Sequence, residues 1–417
     1  MGLMPLVSMS WRNLWRQKRR TAITLSSIAL ACFLAVIMIG VNDANWEEVI
    51  NTAARMGGGH VTVQHRDYEE KPSPSRTVRQ TAALVERLRA LPHVTHALPR
   101  IVGQVMLATT TDSLGAGFIA YDPAQESPRT LSILEALKEG TLFRSATDNG
   151  IILGARLARN LGVGLGDKVV YTLTDKRGEI VSALARVSGV VRTGSPAVDL
   201  GLCFLPLGAA RQALGYAEDE AVQVAVFLDN QRASTRVRET VARHLGGDAV
   251  ALTWKQTQPD LDSMIAMKKG GATFFSILML VLCAAGIFNT LFVSVIERIR
   301  EFGILVAVGF GPRRLFSLVM LESLWLGLTG LVVAVVLVAW PYHYLGSVGI
   351  DLTEMYATSG QQADIAGVGM SMVLRVGLYP ESAVAIAAAV LGATLLSGLY
   401  PAWKAGHVEP VDAIKLT

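Results

Sequence analysis

Several residue groups in this chain have the composition of a reactive site, and their spacing decides against each. Gly162-Val-Gly-Leu-Gly166-Asp167 is glycine-rich like a phosphate cradle, whose backbone amides face an anion where a helix begins. Here it precedes Lys168-Val-Val-Tyr171, a strand-like run, so a turn is expected instead. No Gly-Lys dipeptide occurs anywhere, which excludes a Walker A loop. His60 and His65 stand an odd number of positions apart on an alternating run, so they face opposite sides of one strand and read as surface histidines. His93 and His96 flank an extended segment with no Cys or carboxylate cluster to complete a zinc site. Ser195 lacks a Gly-x-Ser-x-Gly context, and neither His-Glu-x-x-His nor Cys-x-x-Cys occurs. Cys203 stands alone in its region, so it has no local disulfide partner. No catalytic residue and no metal ligand is assigned.

What remains is charge in unusual places. Glu322 lies eight residues beyond Arg314, about 12 Å into an apolar stretch at 1.5 Å per helical residue. An ionisable group at that depth faces protein or marks function, and two readings stay open: a helix-contact residue or an intramembrane coupling group. Glu297-Arg-Ile-Arg-Glu-Phe-Gly-Ile-Leu-Val-Ala-Val-Gly309 puts four charges between two long apolar runs. Such a segment reads as a short amphipathic helix against the bilayer.

The elements that position these residues follow from hydropathy. Apolar residues make up 51% of the chain and charged ones only 17%, which favours a membrane protein. A spanning helix needs roughly 20 apolar residues, and no charge occurs from Thr21 to Asn42, Gly270 to Ile296, Ser323 to Ile350 or Ser382 to Trp403. The expected fold is therefore a membrane α-helical protein with four transmembrane helices and a large extracytoplasmic α+β domain between the first and second. In order, the chain divides into an amphipathic elbow (1–20), a first span (21–42), a domain with helical stalks (43–270), a second span (271–296), a coupling helix (297–312), a third span (313–340), a loop (341–380), a fourth span (381–402) and a tail (403–417). Arg12, Arg16, Lys18, Arg19 and Arg20 before the first span, and Arg298, Arg300, Arg313 and Arg314 after the second, place both termini and the coupling helix in the cytoplasm. Residues 43–271 carry 26 basic and 25 acidic side chains. The net charge of +4 thus resides in the flanks, where anionic lipid explains it and nucleic acid is not implied.

Within the large domain, helices are expected near Thr81–Ala90, Ala155–Leu161 and Gln231–Leu245, and strands near Val102–Thr109, Lys168–Thr174, Ala183–Val191 and Val222–Leu228. Asp175-Lys-Arg-Gly178 reads as a hairpin turn. Helical patterns at 42–56 and 258–269 would extend the first and second spans as stalks.

Taken together, Glu297-Arg-x-Arg-Glu-Phe-Gly-Ile-Leu-x-Ala-x-Gly309, Glu322 with Leu326-Gly-Leu, Leu399-Tyr-Pro-Ala-Trp-Lys-Ala405 and Glu409-Pro-Val-Asp-Ala-Ile414 resemble the FtsX-like permeases of ABC systems. Leu98-Pro-Arg100, Gly154-x-x-Leu-Ala158 and Leu161-Gly-Val-x-x-Gly-Asp167 extend the resemblance into the outer domain. The layout is similar to the LolC/LolE lipoprotein-releasing permeases, and MacB-type permeases share the membrane part. The resemblance implies a permease of the bacterial inner membrane with its large domain in the periplasm, which is no enzyme itself. It implies two copies of a cytoplasmic ATPase that bind ATP and Mg, a second permease in a homodimer or heterodimer, a periplasmic lipoprotein carrier, and lipids around the spans. Glu297, Arg298, Arg300, Glu301, Phe302, Gly303 and Ile304 would form the ATPase-docking element, with Phe302 and Ile304 filling an apolar groove on the partner. Lipidated cargo would leave sideways through a cleft lined by Phe33, Ile37, Val41, Phe274, Phe275 and Leu278, whose ordinary explanation is lipid-facing or packing side chains. The turn at Thr174–Ile180 is short and lacks the proline of the LolC carrier-docking hairpin. A LolE-like subunit, MacB-like efflux of a peptide or amphiphile with an adaptor and outer-membrane channel, and FtsX-like control of a cell-wall hydrolase remain as alternatives.

Overall fold

Three of the four charge-free runs lie wholly within one long helix, and the run from Ser323 leaves its helix after Ser347. The computed structural model describes residues 3–16, 18–352 and 373–407, with only the backbone of 364–365 and 368–369 between the last two. The Glu409–Ile414 motif lies outside the described residues, as does most of the stretch between the third and fourth spans. Helix α1 is Leu3–Arg16 and α2 is Lys18–Met56. The second, third and fourth apolar helices run over Pro259–Glu297, Pro312–Ser347 and Pro380–Gly406, and all four are long and apolar enough to cross a membrane. The third continues past Pro341 to Ser347, where the sequence reading begins a loop. A proline removes one backbone donor, and neighbouring helices let a membrane helix absorb that loss.

The chain divides into two compact units: one comprises the described residues up to Asn45, Ala266–Asp351 and those from Val373; the other comprises Trp46–Ile265. In the second unit the strands are β1 (Val61–His65), β2 (Val94–Ala108), β3 (Ser113–Tyr121), β4 (Leu137–Gly140), β5 (Gly150–Gly154), β6 (Lys168–Thr174), β7 (Ile180–Val191), β8 (Leu202–Pro206), β9 (Gln223–Leu228) and β10 (Ala249–Thr253). They pair in the order β10-β1-β9-β2-β3-β8-β5-β7-β4, and β6 joins β7 back to β2. The pairings β2-β3-β8-β5-β7-β6-β2 therefore close a ring, which removes edges that would otherwise stand open. Its interior holds Ile101, Leu107, Ala120, Ile151, Leu153, Val169 and Cys203, all fully buried. Burial pushes the Cys203 thiol up, so it stays protonated and unreactive.

A second core, with Val61, Val63, Leu88, Val224, Val226 and Val241, packs beneath α3 (Thr81–Arg89) and α7 (Ser234–Ala242). Strand β2 serves both cores. It starts eight residues before the sequence reading places it and takes in Pro99. Over Val94–Arg100 it pairs with β9 on one side only, so a residue without an N–H is tolerated there. The β6/β7 hairpin turns through Asp175–Gly178, where Asp175 Oδ1 accepts from Arg177 and Glu179 amides and Gly178 takes φ +87°. The Gly162–Asp167 stretch is a turn leading into β6, with Asp167 Oδ2 accepting from Gly164 N at 2.8 Å.

In the first unit, α2 and the three later apolar helices share a core of Ile28, Ala29, Ile287, Leu326, Ala334, Ile386 and Val390. Small residues bring the third and fourth helices together: a Cβ on Gly398 would lie 2.3 Å from Ser323 Oγ. That approach is how membrane helices gain contact without a hydrophobic drive between them.

Candidate functional site

The charged segment between the second and third apolar helices folds as a separate short helix, Ile299–Ala307. Its end is dictated locally. Gly309 N donates to Val306 O and Phe310 N to Leu305 O, both at 2.9 Å, with Gly309 at φ +98°. This double bond pattern is the Schellman stop, which favours glycine at the left-handed position. Pro312 then opens the next helix at a position that needs no N–H.

One face of this short helix is closed. Phe302 is fully buried among Val295, Leu315, Leu318, Val319 and Ala402 of its own chain. The other face is open: Arg300 and Ala307 are exposed, with Ile304 at 54% and Val308 at 76%. Phe302 and Ile304 are two positions apart, about 200° around the helix, so they cannot enter the same groove. The expectation that Phe302 anchors a partner is corrected on this point. Gly303 is buried beside it.

The charges around the helix pair with one another. Arg298 donates from Nη1 to Glu322 Oε2 at 2.9 Å and Oε1 at 3.1 Å, and from Nε to Glu301 Oε2 at 3.1 Å. Its guanidinium also lies 5.2 Å from the Phe302 ring centroid. Glu322 accepts further from Asn13 Nδ2 at 2.9 Å. Arg16 pairs with Glu301 at 3.0 Å and Arg20 with Glu297 at 2.8 Å. The elbow helix, the short helix and the third apolar helix are thereby tied at one end of the bundle, where the first apolar helix is also tied to the last residue of the second. Glu322 is held by side chains of two other elements, and Asn13 is a member that sequence reasoning missed. Nothing local singles out one asparagine more than 300 positions from its partner.

None of the six residues expected to line a cargo cleft lines the apolar groove that these helices form. Phe274, Phe275 and Leu278 are exposed, and Phe33, Ile37 and Val41 are half-buried. The helices do form an open apolar groove of about 360 Å³, lined by other faces of the same helices, including Leu34, Met38, Ile277 and Leu280, and by Ile386 and Ala389 of the fourth. Ala385, Ala389 and Ala393, four apart, give that wall its low relief, a signal the sequence displayed.

In the second unit, Arg100 is fully buried. It donates to Glu126 at 2.7 and 3.0 Å, to Thr130 O at 2.8 Å and to the carbonyl of Gly57, the residue after α2. His60 is buried too, contrary to the surface expectation. Its Nδ1 accepts from Leu228 N at 3.1 Å, and Nε2 faces Asn51 Oδ1 at 2.9 Å. Burial first, and Arg55 second, push it down to about 4. The alternating run could not show that His60, just before β1, meets Asn51 of α2.

Two family models cover most of the chain: the MacB-like periplasmic core domain over residues 21–244 and the FtsX-like permease C-terminal domain over residues 273–410. The chain belongs to the FtsX/MacB/LolC family of ABC transporter permeases. Among relatives of this permease, the lipoprotein-releasing system transmembrane protein LolC of Xylella fastidiosa (strain Temecula1) is 24% identical over 96% of each chain. The pyoverdine export ATP-binding/permease protein PvdT of Pseudomonas entomophila is 24% identical over 97% of the permease and 58% of its own length. Against PvdT, then, the permease spans about three fifths of the relative. Among solved structures, the extracellular domain of the transporter YknZ from Gram-positive bacteria aligns with a TM-score of 0.34 at 12% identity, covering 46% of this chain and 99% of that one.

Proposed function

We propose that this permease works as a dimer with two copies of a separate cytoplasmic ABC ATPase, which binds the ATP and Mg, and that each ATPase seats on the open face of the Ile299–Ala307 helix. The observation that carries this reading is the helix itself. Ile304, Ala307 and Val308 rise beside Arg300 on a side that the described residues leave uncovered, while the opposite side is closed. Burying an Ile or Val side chain contributes about 1.5–3 kcal/mol, enough for two anchors to hold a partner. The chain itself contains no phosphate loop. With Arg298, Glu301, Glu322, Arg16 and Asn13 linked, a push on the helix moves the elbow and the third span with it. The stalks then carry the movement outward, with the termini in the cytoplasm and the domain in the periplasm of a bacterial inner membrane. Ile304→Asp with Val308→Asp should reduce co-purification of the ATPase by about tenfold or more. Undiminished co-purification sinks the docking face.

The cargo reading is extraction of lipoproteins for delivery toward an outer membrane, by way of a periplasmic carrier. The open apolar groove supports it, because an acyl chain moved into water costs about 0.8 kcal/mol per methylene. The LolC alignment, over 96% of both chains, points the same way. Efflux of an amphiphile is the second reading, favoured by an equal identity to PvdT across 97% of this chain. Photo-crosslinking residues at Met38 and Ile277 in cells should capture lipidated proteins. Adducts with bulk lipid alone would put efflux ahead.

A further inference from the structure

We propose that the cleft between the start of the first apolar helix and the end of the second binds the phosphate headgroup of one anionic phospholipid. The cleft measures about 710 Å³ and is lined by Arg16, Lys18, Arg19, Arg20, Asn289, Thr290, Val293 and Glu297. Four cations against one carboxylate leave its wall at +3 (4 − 1). Arg16 and Arg20 are engaged, with Glu301 and Glu297. Lys18 and Arg19 are exposed and have no acidic partner among the described residues, and the first turn of their helix contains no acid. Crowded cations without counter-charge repel one another, so a bound anion lowers the energy of this wall.

The cleft's depth selects a lipid. Trp11 and Trp15 stand exposed on the amphipathic helix beside it, as tryptophans do at headgroup level. Asn289, exposed on an apolar helix about 12 Å from Glu297 along the axis, has no hydrogen-bond partner among the described residues. It offers a donor deeper in the cleft than a phosphate held at the level of Lys18 and Arg19. A second copy of this protein would bring like charges to the cleft and be repelled. Juxtamembrane Lys and Arg each attract anionic lipid measurably, and pockets of them between helices hold headgroups.

The full chain, delipidated in neutral detergent, would be titrated with phosphatidylglycerol and with phosphatidylcholine of the same chains and read by native mass spectrometry. One phosphatidylglycerol should bind about tenfold or more tighter than phosphatidylcholine. Lys18→Gln with Arg19→Gln should lose that preference, Lys18→Arg with Arg19→Lys should keep it, and Arg313→Gln with Arg314→Gln should leave it unchanged. Equal binding of the two lipids overturns the proposal. So does an equal loss in the Arg313/Arg314 pair, which would mean diffuse attraction. Displacement of the lipid by inorganic phosphate at matched concentration would identify a free-phosphate site and overturn it as well.

Discussion

Arg298 and Glu322 meet at 2.9 Å with side chains only 13% and 12% exposed, so neither charge has water to fall back on. Removing one partner of such a pair leaves an uncompensated charge and costs about 3–5 kcal/mol, whereas removing both can be nearly neutral. Arg298→Met, which leaves Glu322 with only the neutral Asn13, should therefore lower the melting temperature of the purified permease more than the Arg298→Met/Glu322→Met double variant does. A double variant as damaged as the sum of its singles would mean the two residues act independently. His60 makes a second residue-scale prediction. Its ordinary value is 6.5 and its folded value about 4. Between those two, as pH falls, the unfolded chain takes up a proton that the folded imidazole refuses, so stability drops and then levels below about 4. The full loss is about 3 kcal/mol. Hydrogen exchange at Leu228 and its β9 neighbours, corrected for intrinsic rates, should speed up over that window, and His60→Gln should flatten the trend.

At the scale of elements, the Ile299–Ala307 helix owes its length to its stop. Nothing lies within 4 Å of a Cβ built on Gly309, so space does not limit substitution there; its φ of +98° does. Gly309→Val should cost about 1–2 kcal/mol locally and let the last turn fray, where Val308 is presented. The expected result is weaker ATPase co-purification with normal membrane insertion. Normal co-purification would show that the stop does not set the docking face. The α2 stalk packs differently from its span: Trp46, Val49, Ile50 and Ala53 form one cluster with Trp254, Leu261 and Ile265.

For the whole molecule, α2 and the second apolar helix each contribute to both compact units. If displacement of these helices drives the outer unit, tying them together should stop transport without disturbing ATPase docking. Cysteines replacing Ala53 and Leu261, joined by a bifunctional thiol reagent, should abolish ATP-driven turnover in the assembled transporter. Full turnover after complete cross-linking removes the mechanical reading.

Four helices able to span a membrane, the α+β domain between the first two and the amphipathic connection after the second follow from the order of residues alone. A charge in hydrocarbon is so costly that uninterrupted apolar runs admit few other outcomes, and Gly309 and Pro312 stop and restart helices by their own backbone chemistry. The direction each apolar side chain faces did not follow. Phe302 and Ile304 are alike in hydropathy, yet one is enclosed and the other open, because long-range packing against Leu315, Leu318 and Ala402 decides the rotation. The same holds along the spans, where a residue facing lipid and one facing a groove have the same composition. Glu322 was visible as an anomaly, but its partners Arg298 and Asn13 come from other elements. His60 became a buried bridge, and the six-strand ring closed through β6, by pairings far apart in the chain. Hydropathy and local backbone preference act over a few residues and are written in order; facing, pairing and closure depend on which distant surfaces meet, and only the fold brings those together.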